Sequence, residues 1–434
     1  MNPRIIVLFF IAVAALTCRA HASEDVLVTT LPNGMKVIVR EGHAVNLVAV
    51  DVWIHAGSAE ESEGANGVAH FVEHMIFKAT SKRGPGEIDR EIEGLGAEIN
   101  GGTSRDYSHF YTTVASEYLP TALDVIADAV MNAQFRPEDI EKERRVLLDE
   151  IARSEGNPVQ RALDIFARTA FESHPYRLSP TGARDVIGKL TRDELLLHHN
   201  RFFTPENITV VIAGDVSKTE AVALVEKAFA GFARTSRVPR VEPPPEPPLT
   251  SPRVTKLDSP GKDAYLVVGY LAPGADRVRD VCALDVILAV LGDAHEGRIY
   301  SALTAKGIGF NDIETDFVTQ KRQSTFAALV RVDPKDADAA RDVLLAEYRR
   351  LGDEPLSDAE LQHAKRLVEG GDLFDQETFA GQARALGLYD CIATYDLALK
   401  YGGIVQSLTA SDIMDAAERY FGANDYIILR MEPR

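Results

Sequence analysis

The chain has 434 residues, 45% of them hydrophobic and 26% charged, which is typical of a folded globular protein of two or three domains. Its 47 Lys and Arg residues against 65 Asp and Glu residues give a net charge of −18, which argues against a nucleic-acid-binding surface. Three cysteines exclude a disulfide-built scaffold, so any metal must be held by histidine and carboxylate ligands. We expect Cys282 and Cys391 to be buried free thiols, with a disulfide between them as the alternative.

The segment Met1–Ala22 has the pattern of a secretory signal peptide. Arg4 precedes an apolar run at 5–16, and small residues stand at the expected cleavage site. The run is too short for a membrane span of about 20 residues, and no later segment is long and apolar enough. We therefore expect export across the inner membrane, to the bacterial periplasm. A retained anchor and a lipoprotein site at Cys18 are the alternatives.

The first half of the chain mixes strands and helices. The predicted strands come in adjacent runs and do not alternate strictly with helices. This order favours an α+β fold, in which helices pack on one face of an antiparallel or mixed sheet. The hydrophobic patterns predict a pair of strands at 36–40 and 47–54, helices around 66–79 and 86–95, a strand at 106–115, and helices at 117–132 and 137–155.

Within the predicted helix 66–79, the chain reads His70-Phe-Val-Glu73-His74. Positions i, i+3 and i+4 share one face of a helix, so the two imidazoles and the carboxylate project together. Two histidines one turn apart can bind zinc, and a carboxylate beside them can serve as a general base. This is the H-x-x-E-H pattern, the inverted form of a common zinc-peptidase motif.

A catalytic zinc needs a third protein ligand and an open position. The acidic helix at 137–155 offers Glu143 and Glu150, which are two helical turns apart and therefore on one face. Apolar neighbours of Glu150 suggest a buried ligand or a paired charge. Spacing alone does not select Glu150 over Glu143 or Asp149.

The second half repeats a unit of the first. Residues 190–207 and 408–425 align without a gap, with Leu, Thr, Arg and Phe matched at an offset of 218, and each copy leads from a Thr-capped helix into an apolar strand. The segment 241–249 contains five prolines and favours a semi-rigid spacer. We therefore predict an N-terminal zinc-binding domain at 23–240, a Pro-rich linker at 241–253, and a homologous C-terminal domain without a metal site at 254–434.

Over nearly the whole mature chain, the sequence resembles the pitrilysin/insulinase superfamily of zinc metallopeptidases. Within it, the chain is most similar to the short processing-peptidase-like members, including the catalytic β-type subunit. The resemblance implies that His70, His74 and Glu150 bind one zinc ion per chain. It also implies that Glu73 is the general base and that Glu143 orients a ligand or supports the charge of the metal. The segments that carry it are Gly67–Thr80, 141–151, His55–Ser58, Gly94–Asn100, His174–Tyr176 and Asn207–Asp215.

The resemblance further implies an endopeptidase that hydrolyses extended peptides with a zinc-activated water. In relatives, the region of Asn100, Gly101, Gly102 and Thr103 is an edge strand to which the substrate adds as a further strand. Taken alone, these glycines are equally typical of a turn or bulge. Phe77, one turn after His74, is a candidate for lining a substrate pocket, although an isolated phenylalanine is more often a core residue.

One family feature is absent. In complete enzymes, the second homologous region supplies an Arg and a Tyr that hold the substrate carbonyl. Here Leu303 and Phe310 stand at those positions, and neither can donate a hydrogen bond. We therefore expect a heteromeric partner of the same family that carries the Arg/Tyr pair, with a homodimer as the fallback. The alternative is a zinc-bearing structural or peptide-binding subunit with little proteolytic activity.

Overall fold

The structure is a computed structural model that describes residues 26–233, 243, 245–259, 261–293, 296–422 and 425–434. The expected signal peptide and the first residues of the expected linker lie outside the described residues. They stay predictions, as do the domain boundaries. None of the described helices combines the length and the apolar character that crossing a membrane requires.

The described chain forms two β-sheets surrounded by helices, which confirms the predicted α+β class with mixed sheets. The strands are β1 Val26–Thr30, β2 Lys36–Glu41, β3 Leu47–Ile54, β4 Ile99–Thr103, β5 Ser108–Ala115, β6 Ile208–Gly214, β7 Arg253–Asp258, β8 Ala264–Ala272, β9 Phe310–Phe317, β10 Ser324–Val332 and β11 Ile427–Glu432. The helices are α1 Val68–Ile76, α2 Glu87–Glu93, α3 Leu119–Asn132, α4 Pro137–Gly156, α5 Pro158–Ala170, α6 Arg184–Ile187, α7 Arg192–Phe202, α8 Lys218–Ala228, α9 Val278–Gly292, α10 Arg298–Ala305, α11 Ala337–Asp353, α12 Asp358–Asp375, α13 Phe379–Ile392, α14 Leu397–Ser407 and α15 Ala410–Phe421.

The first sheet has the order β1-β2-β6-β3-β5-β4. β6 lies between β2 and β3, parallel to the former and antiparallel to the latter. The prediction that the strands at 36–40 and 47–54 pair directly is therefore wrong. All seven residues of β6 are buried, so this strand needs a hydrogen-bonded neighbour on each side, and β2 and β3 supply them.

The second sheet has the order β7-β11-β8-β10-β9, which repeats the order β2-β6-β3-β5-β4 of the first. In both, one parallel pair is followed by three antiparallel pairs. The repeated sequence unit forms α7 and β6 in one half and α15 and β11 in the other. Thr191 and Thr409 each begin their helix with a capping box. The two halves are thus homologous in topology as well as in sequence.

Each sheet packs its own helices on one face and receives a helix from the other half on its second face. α5 of the N-terminal half places Phe166 against Val267 and Leu429 of the C-terminal sheet. In return, α13 of the C-terminal half packs Leu386 against Trp53 of the N-terminal sheet. This exchange of helices makes the two sheets parts of one packed body. Two cysteines, on α9 and α13, are buried free thiols, as expected.

Hydrogen bonds to two buried carboxylates stabilise the packing of the two halves. Asp390 on α13 accepts hydrogen bonds from Lys36 Nζ at 2.8 Å and from Thr209 Oγ1 at 2.7 Å. Glu246 of the linker has no exposed side-chain surface and accepts the backbone N–H groups of residues 172–174. The described part of the linker is therefore bonded to the N-terminal half around Glu246.

We predict that Gly387→Ala destabilises the protein. A Cβ at Gly387 would lie 2.1 Å from Trp53 Nε1, so α13 would have to move off the sheet. Overpacking of this kind costs about 1–3 kcal/mol of unfolding free energy, measurable by denaturant titration. Gly403 on α14 has nothing within 4 Å of its Cβ position, so Gly403→Ala is the matched control and should be neutral or stabilising. Equal effects of the two changes would contradict the close approach.

Candidate metal centre

The helix α1 begins at a point where the backbone needs a glycine. Gly67 has φ +102°, and a Cβ there would lie 2.8 Å from Gly182 Cα. The buried carboxylate of Glu61 accepts hydrogen bonds from Asn66 Nδ2 and from the backbone N–H groups of Gly67 and Ala69. Burial raises the pKa of Glu61 to about 7, against the effect of these donors. Glu61 thus fixes the start of the helix that carries the H-x-x-E-H residues.

Two histidines of α1 and one glutamate of α4 converge. His70 Nε2 lies 3.9 Å and His74 Nε2 lies 3.7 Å from the carboxylate oxygens of Glu150. One donor atom from each of the three residues lies within 4.8 Å of the other two. Asp149, the neighbouring acid, is exposed. Of the three acids that the spacing left open, Glu150 is therefore the one that lies beside the Nε2 atoms of both histidines.

The Nδ1 atom of each imidazole contacts an oxygen on the side of the ring opposite Glu150. His70 Nδ1 lies 3.3 Å from the carbonyl oxygen of Thr181, and His74 Nδ1 lies 3.2 Å from Glu143 Oε2. Burial acts to raise the pKa of Glu143, but hydrogen bonds from His74 and Lys78 outweigh it and lower that pKa. The Nδ1 contacts fix both rings so that their Nε2 atoms face Glu150, which is the arrangement of histidine ligands to a metal.

The donor set fits a zinc ion. Ligands about 2.1 Å from a tetrahedral centre lie about 3.4 Å apart. The Nε2–carboxylate distances of 3.7 and 3.9 Å are close to that value. Two imidazoles and one carboxylate also leave one position open, which is the ligand count of catalytic zinc sites. Among the described residues, Asp293, Glu296 and His363 form another group with converging donors, but Glu296 is exposed.

Glu73 lies beside these donors. Its Oε2 is 3.8 Å from His70 Nε2 and 3.3 Å from Thr103 Oγ1 on β4. A Cβ on Gly101 would lie 3.2 Å from Glu73 Oε1, so this glycine leaves room for the carboxylate next to the strand. A carboxylate between the metal donors and an open strand is positioned to move a proton at the site.

The strand β4 lies at the end of the first sheet and, among the described residues, pairs only with β5. Asn100 is exposed, and its Oδ1 accepts the N–H of Gly101 at 2.8 Å. Gly102 also belongs to this strand. Phe77 is half-buried, with its ring edge-on to Phe110 of β5 at 5.5 Å, so it packs against the core of the N-terminal half. The free edge of β4 offers backbone hydrogen-bonding groups to an added strand.

The two residues that stand at the positions of the Arg/Tyr pair lie in the C-terminal half. Leu303 on α10 is fully buried in the core of that half. Phe310, at the start of β9, packs edge-on to Tyr300 at 5.3 Å. Arg298, close by in sequence, is paired with Glu360 at 2.6 Å. None of these side chains offers a free cation at the position expected for the pair.

Sequence reasoning missed two groups that shape the site. The carboxylate of Glu61 accepts hydrogen bonds at the start of α1, and the carbonyl of Thr181 orients His70. Neither has a signal in the sequence, because a backbone carbonyl is not specific to a residue type. A carboxylate six residues before Gly67 follows no capping rule, since capping side chains normally stand next to the helix start.

The chain is similar to known proteins in sequence and in fold. Residues 36–183 match the family described as insulinase (peptidase family M16), and residues 189–368 match the peptidase M16 inactive domain. An uncharacterized zinc protease of Mycobacterium leprae is 30% identical over 91% of this chain and 87% of its own length. A probable mitochondrial-processing peptidase subunit beta of Arabidopsis thaliana is 28% identical over 95% of this chain and 79% of its own length. The structure of a protease from Helicobacter pylori superposes with a TM-score of 0.89 at 23% identity, over 94% of this chain and 99% of that one, and shows the same fold.

We predict that Glu143→Ala lowers zinc affinity by about 10- to 100-fold, because His74 then loses the partner that orients it. A competition titration against a chromogenic chelator measures this. Asp149→Ala, on the same helix but exposed, is the matched control and should bind zinc like the unmodified protein. Equal affinities of the two variants would show that the Glu143 contact does not support the metal.

Proposed function

Because the chain belongs to the insulinase family of peptidases (peptidase family M16), with relatives named zinc proteases, we propose that it is a zinc-dependent endopeptidase acting on extended peptides. The observation that carries this proposal is the convergence of two Nε2 atoms and one carboxylate, with Glu73 beside them. That set combines metal ligands with a group able to accept a proton.

His70, His74 and Glu150 would hold one zinc ion per chain, which when bound supplies a Lewis acid beside the peptide carbonyl and acidifies water. Glu73 takes the proton from the attacking water as its oxygen bonds to the carbonyl carbon. When the C–N bond breaks, Glu73 returns that proton to the leaving amine. The hydrogen bond from Thr103 Oγ1 at 3.3 Å supports this role, because it holds the carboxylate toward β4.

The peptide would add as a strand to β4, next to Asn100, Gly101 and Gly102. Backbone hydrogen bonds at a free strand edge recognise extended shape more than sequence, so broad selectivity is expected. Phe77 is then a candidate for contacting a substrate side chain on the metal side of the strand. The N-terminal segment 1–22 supports action in the bacterial periplasm after export.

We also propose that full activity needs a partner subunit. Holding the substrate carbonyl requires a donor or a positive charge near the reacting atoms. Leu303 and Phe310 offer neither. A second subunit of the same family that carries an Arg/Tyr pair would complete the site, and a second copy of this chain is the fallback. The competing function is a zinc-bearing structural or peptide-binding role, which the absence of the Arg/Tyr pair favours.

We predict that Glu73→Gln lowers the rate of peptide hydrolysis by about 10²- to 10⁴-fold while zinc content stays the same. The measurement pairs metal analysis with cleavage of an unstructured fluorogenic peptide, before and after chelator treatment and zinc restoration. Glu93→Gln, which changes an exposed glutamate of α2, is the control and should keep full activity. Undiminished peptidase activity in the Glu73→Gln variant at normal zinc content would contradict the role of Glu73. Full zinc content without hydrolysis in the unmodified protein would favour the structural subunit.

For the partner, we expect that the chain copurifies from its source with a related subunit and that adding this subunit raises peptidase activity. The measurement is the cleavage rate per mole of chain as the second subunit is titrated in. A monodisperse chain whose rate no added subunit raises would contradict a heteromeric enzyme.

A further inference from the structure

The turn between β4 and β5, residues 104–107, is bonded to the segment that leads into the helix α1. The backbone N–H groups of residues 58–59 donate to the carbonyl oxygens of Ser104 and Arg105, at 3.0 and 2.8 Å. The same segment continues to Glu61, whose carboxylate accepts the first N–H groups of α1. The turn at the end of β4 is therefore linked to the start of the helix that carries both histidines.

The side chain of Asp106 joins this turn to the C-terminal half. Asp106 Oδ1 accepts a hydrogen bond from the hydroxyl of Tyr176 at 2.5 Å, and Asp106 Oδ2 accepts the backbone N–H of Lys321 at 2.9 Å. The hydroxyl oxygen of Tyr176 in turn accepts the backbone N–H of Arg322 at 3.1 Å. Lys321 and Arg322 lie in the loop between β9 and β10. One carboxylate and one phenol thus hold the turn against the backbone of the other half.

Tyr176 is itself held firmly. Its side chain is fully buried, and its ring packs edge-on to Phe171 at 5.9 Å and to His174 at 4.2 Å. Its backbone N–H donates to His174 Nδ1 at 3.2 Å, and its carbonyl oxygen accepts from Arg105 Nε at 3.0 Å. A side chain packed in this way has little room to move. The hydroxyl of Tyr176 therefore sets the position of Asp106, and with it the position of the turn.

The position of this turn affects Glu73. Thr103 is the last residue of β4 and directly precedes the turn, and its Oγ1 donates to Glu73 Oε2 at 3.3 Å. This distance is at the long end of the range for a hydrogen bond, so a small displacement of the turn would break the contact. The carboxylate could then rotate away from β4. A misplacement of about 1 Å at a reacting group can lower a rate by about 100-fold.

We propose that Asp106 and Tyr176 are positioning residues for peptide hydrolysis, because they hold the turn so that Thr103 keeps Glu73 directed toward β4. The proposal rests on the proposed peptidase function, which takes Glu73 as the general base. It gives a part in the reaction to two side chains outside the metal centre. It also makes the loop between β9 and β10 of the C-terminal half part of what positions the general base.

Tyr176→Phe tests this role, since it removes one oxygen atom and keeps the packed ring. The measurement is the cleavage of an unstructured fluorogenic peptide by the full chain loaded with zinc, with its partner if one is required. We expect kcat to fall by about tenfold or more. Zinc affinity, and peptide affinity measured by fluorescence anisotropy on the Glu73→Gln background, should each change by less than about twofold, because the metal ligands and the edge of β4 are unaltered.

Tyr348→Phe is the matched control. Tyr348 is also fully buried, and its hydroxyl donates to the carbonyl oxygen of Val268 at 3.0 Å in the core of the C-terminal half. The control should lose a similar unfolding free energy, measured by denaturant titration, and keep its kcat. Asp106→Asn is the second test, because it places an N–H group opposite one of the two donors that Asp106 now accepts. It should lower kcat as Tyr176→Phe does, and it carries the test if Tyr176→Phe fails to fold.

A double-mutant cycle separates positioning from a loss of stability. Thr103→Val removes the hydroxyl that contacts Glu73 and should itself lower kcat. If Tyr176 acts through Thr103, adding Tyr176→Phe to Thr103→Val lowers kcat by no more than about twofold further. Two independent effects would multiply.

Normal kcat in Tyr176→Phe and in Asp106→Asn, beside an unmodified protein that cleaves the peptide, would overturn the positioning role and leave the peptidase function standing. Effects that multiply in the cycle with Thr103→Val, or an equal fall of kcat in Tyr348→Phe, would do the same. No cleavage by the unmodified, zinc-loaded protein together with its partner would contradict the peptidase function, and the positioning role with it.

Discussion

The site depends on bringing acidic side chains together at one point. Glu73, Glu143 and Glu150 all lie within 4 Å of a histidine nitrogen, on two helices whose ligands are far apart in sequence. Lys78 contacts Glu143 and offsets part of this charge. Carboxylates gathered at partly buried positions repel one another and need a positive partner. A divalent cation between His70, His74 and Glu150 would stabilise this arrangement, so metal binding and local structure depend on each other.

The packing that positions Glu150 extends into the C-terminal half. α4 ends at Gly156 and α5 begins at Pro158, with the side chain of Asn157 capping α5. Since α5 is buried against the C-terminal sheet, the helix that carries Glu150 is tied to that sheet through one residue. A change in the contact between the halves would therefore move Glu150, a proposed metal ligand, although the other proposed ligands also lie in the N-terminal half.

Local patterns in the sequence predicted most helices and strands between β2 and α4, but in the C-terminal half only the repeated helix–strand unit. The apolar run at 47–54 gives the bounds of β3, and the repeat at 190–207 and 408–425 predicted equivalent helix–strand units. The pairing of the strands could not be predicted from local patterns, because β6, which lies between β2 and β3, comes about 150 residues later in the chain than β3. Helical spacing placed Glu143 and Glu150 on one face but could not rank them. Their roles depend on which nitrogen of His74 each one meets, which only the crossing of α1 and α4 decides.

The two halves share one topology, but the proposed metal ligands all lie in the N-terminal half. In the C-terminal half, α9 follows β8 as α1 follows β3, and its buried positions carry apolar side chains, whereas α1 carries His70 and His74. Leu303 belongs to the same core. A guanidinium at this position would be buried among apolar side chains without a partner, at a cost of several kcal/mol. A single substitution at Leu303 would therefore not restore a carbonyl-binding cation in this packing, which agrees with the proposal that a partner subunit supplies it.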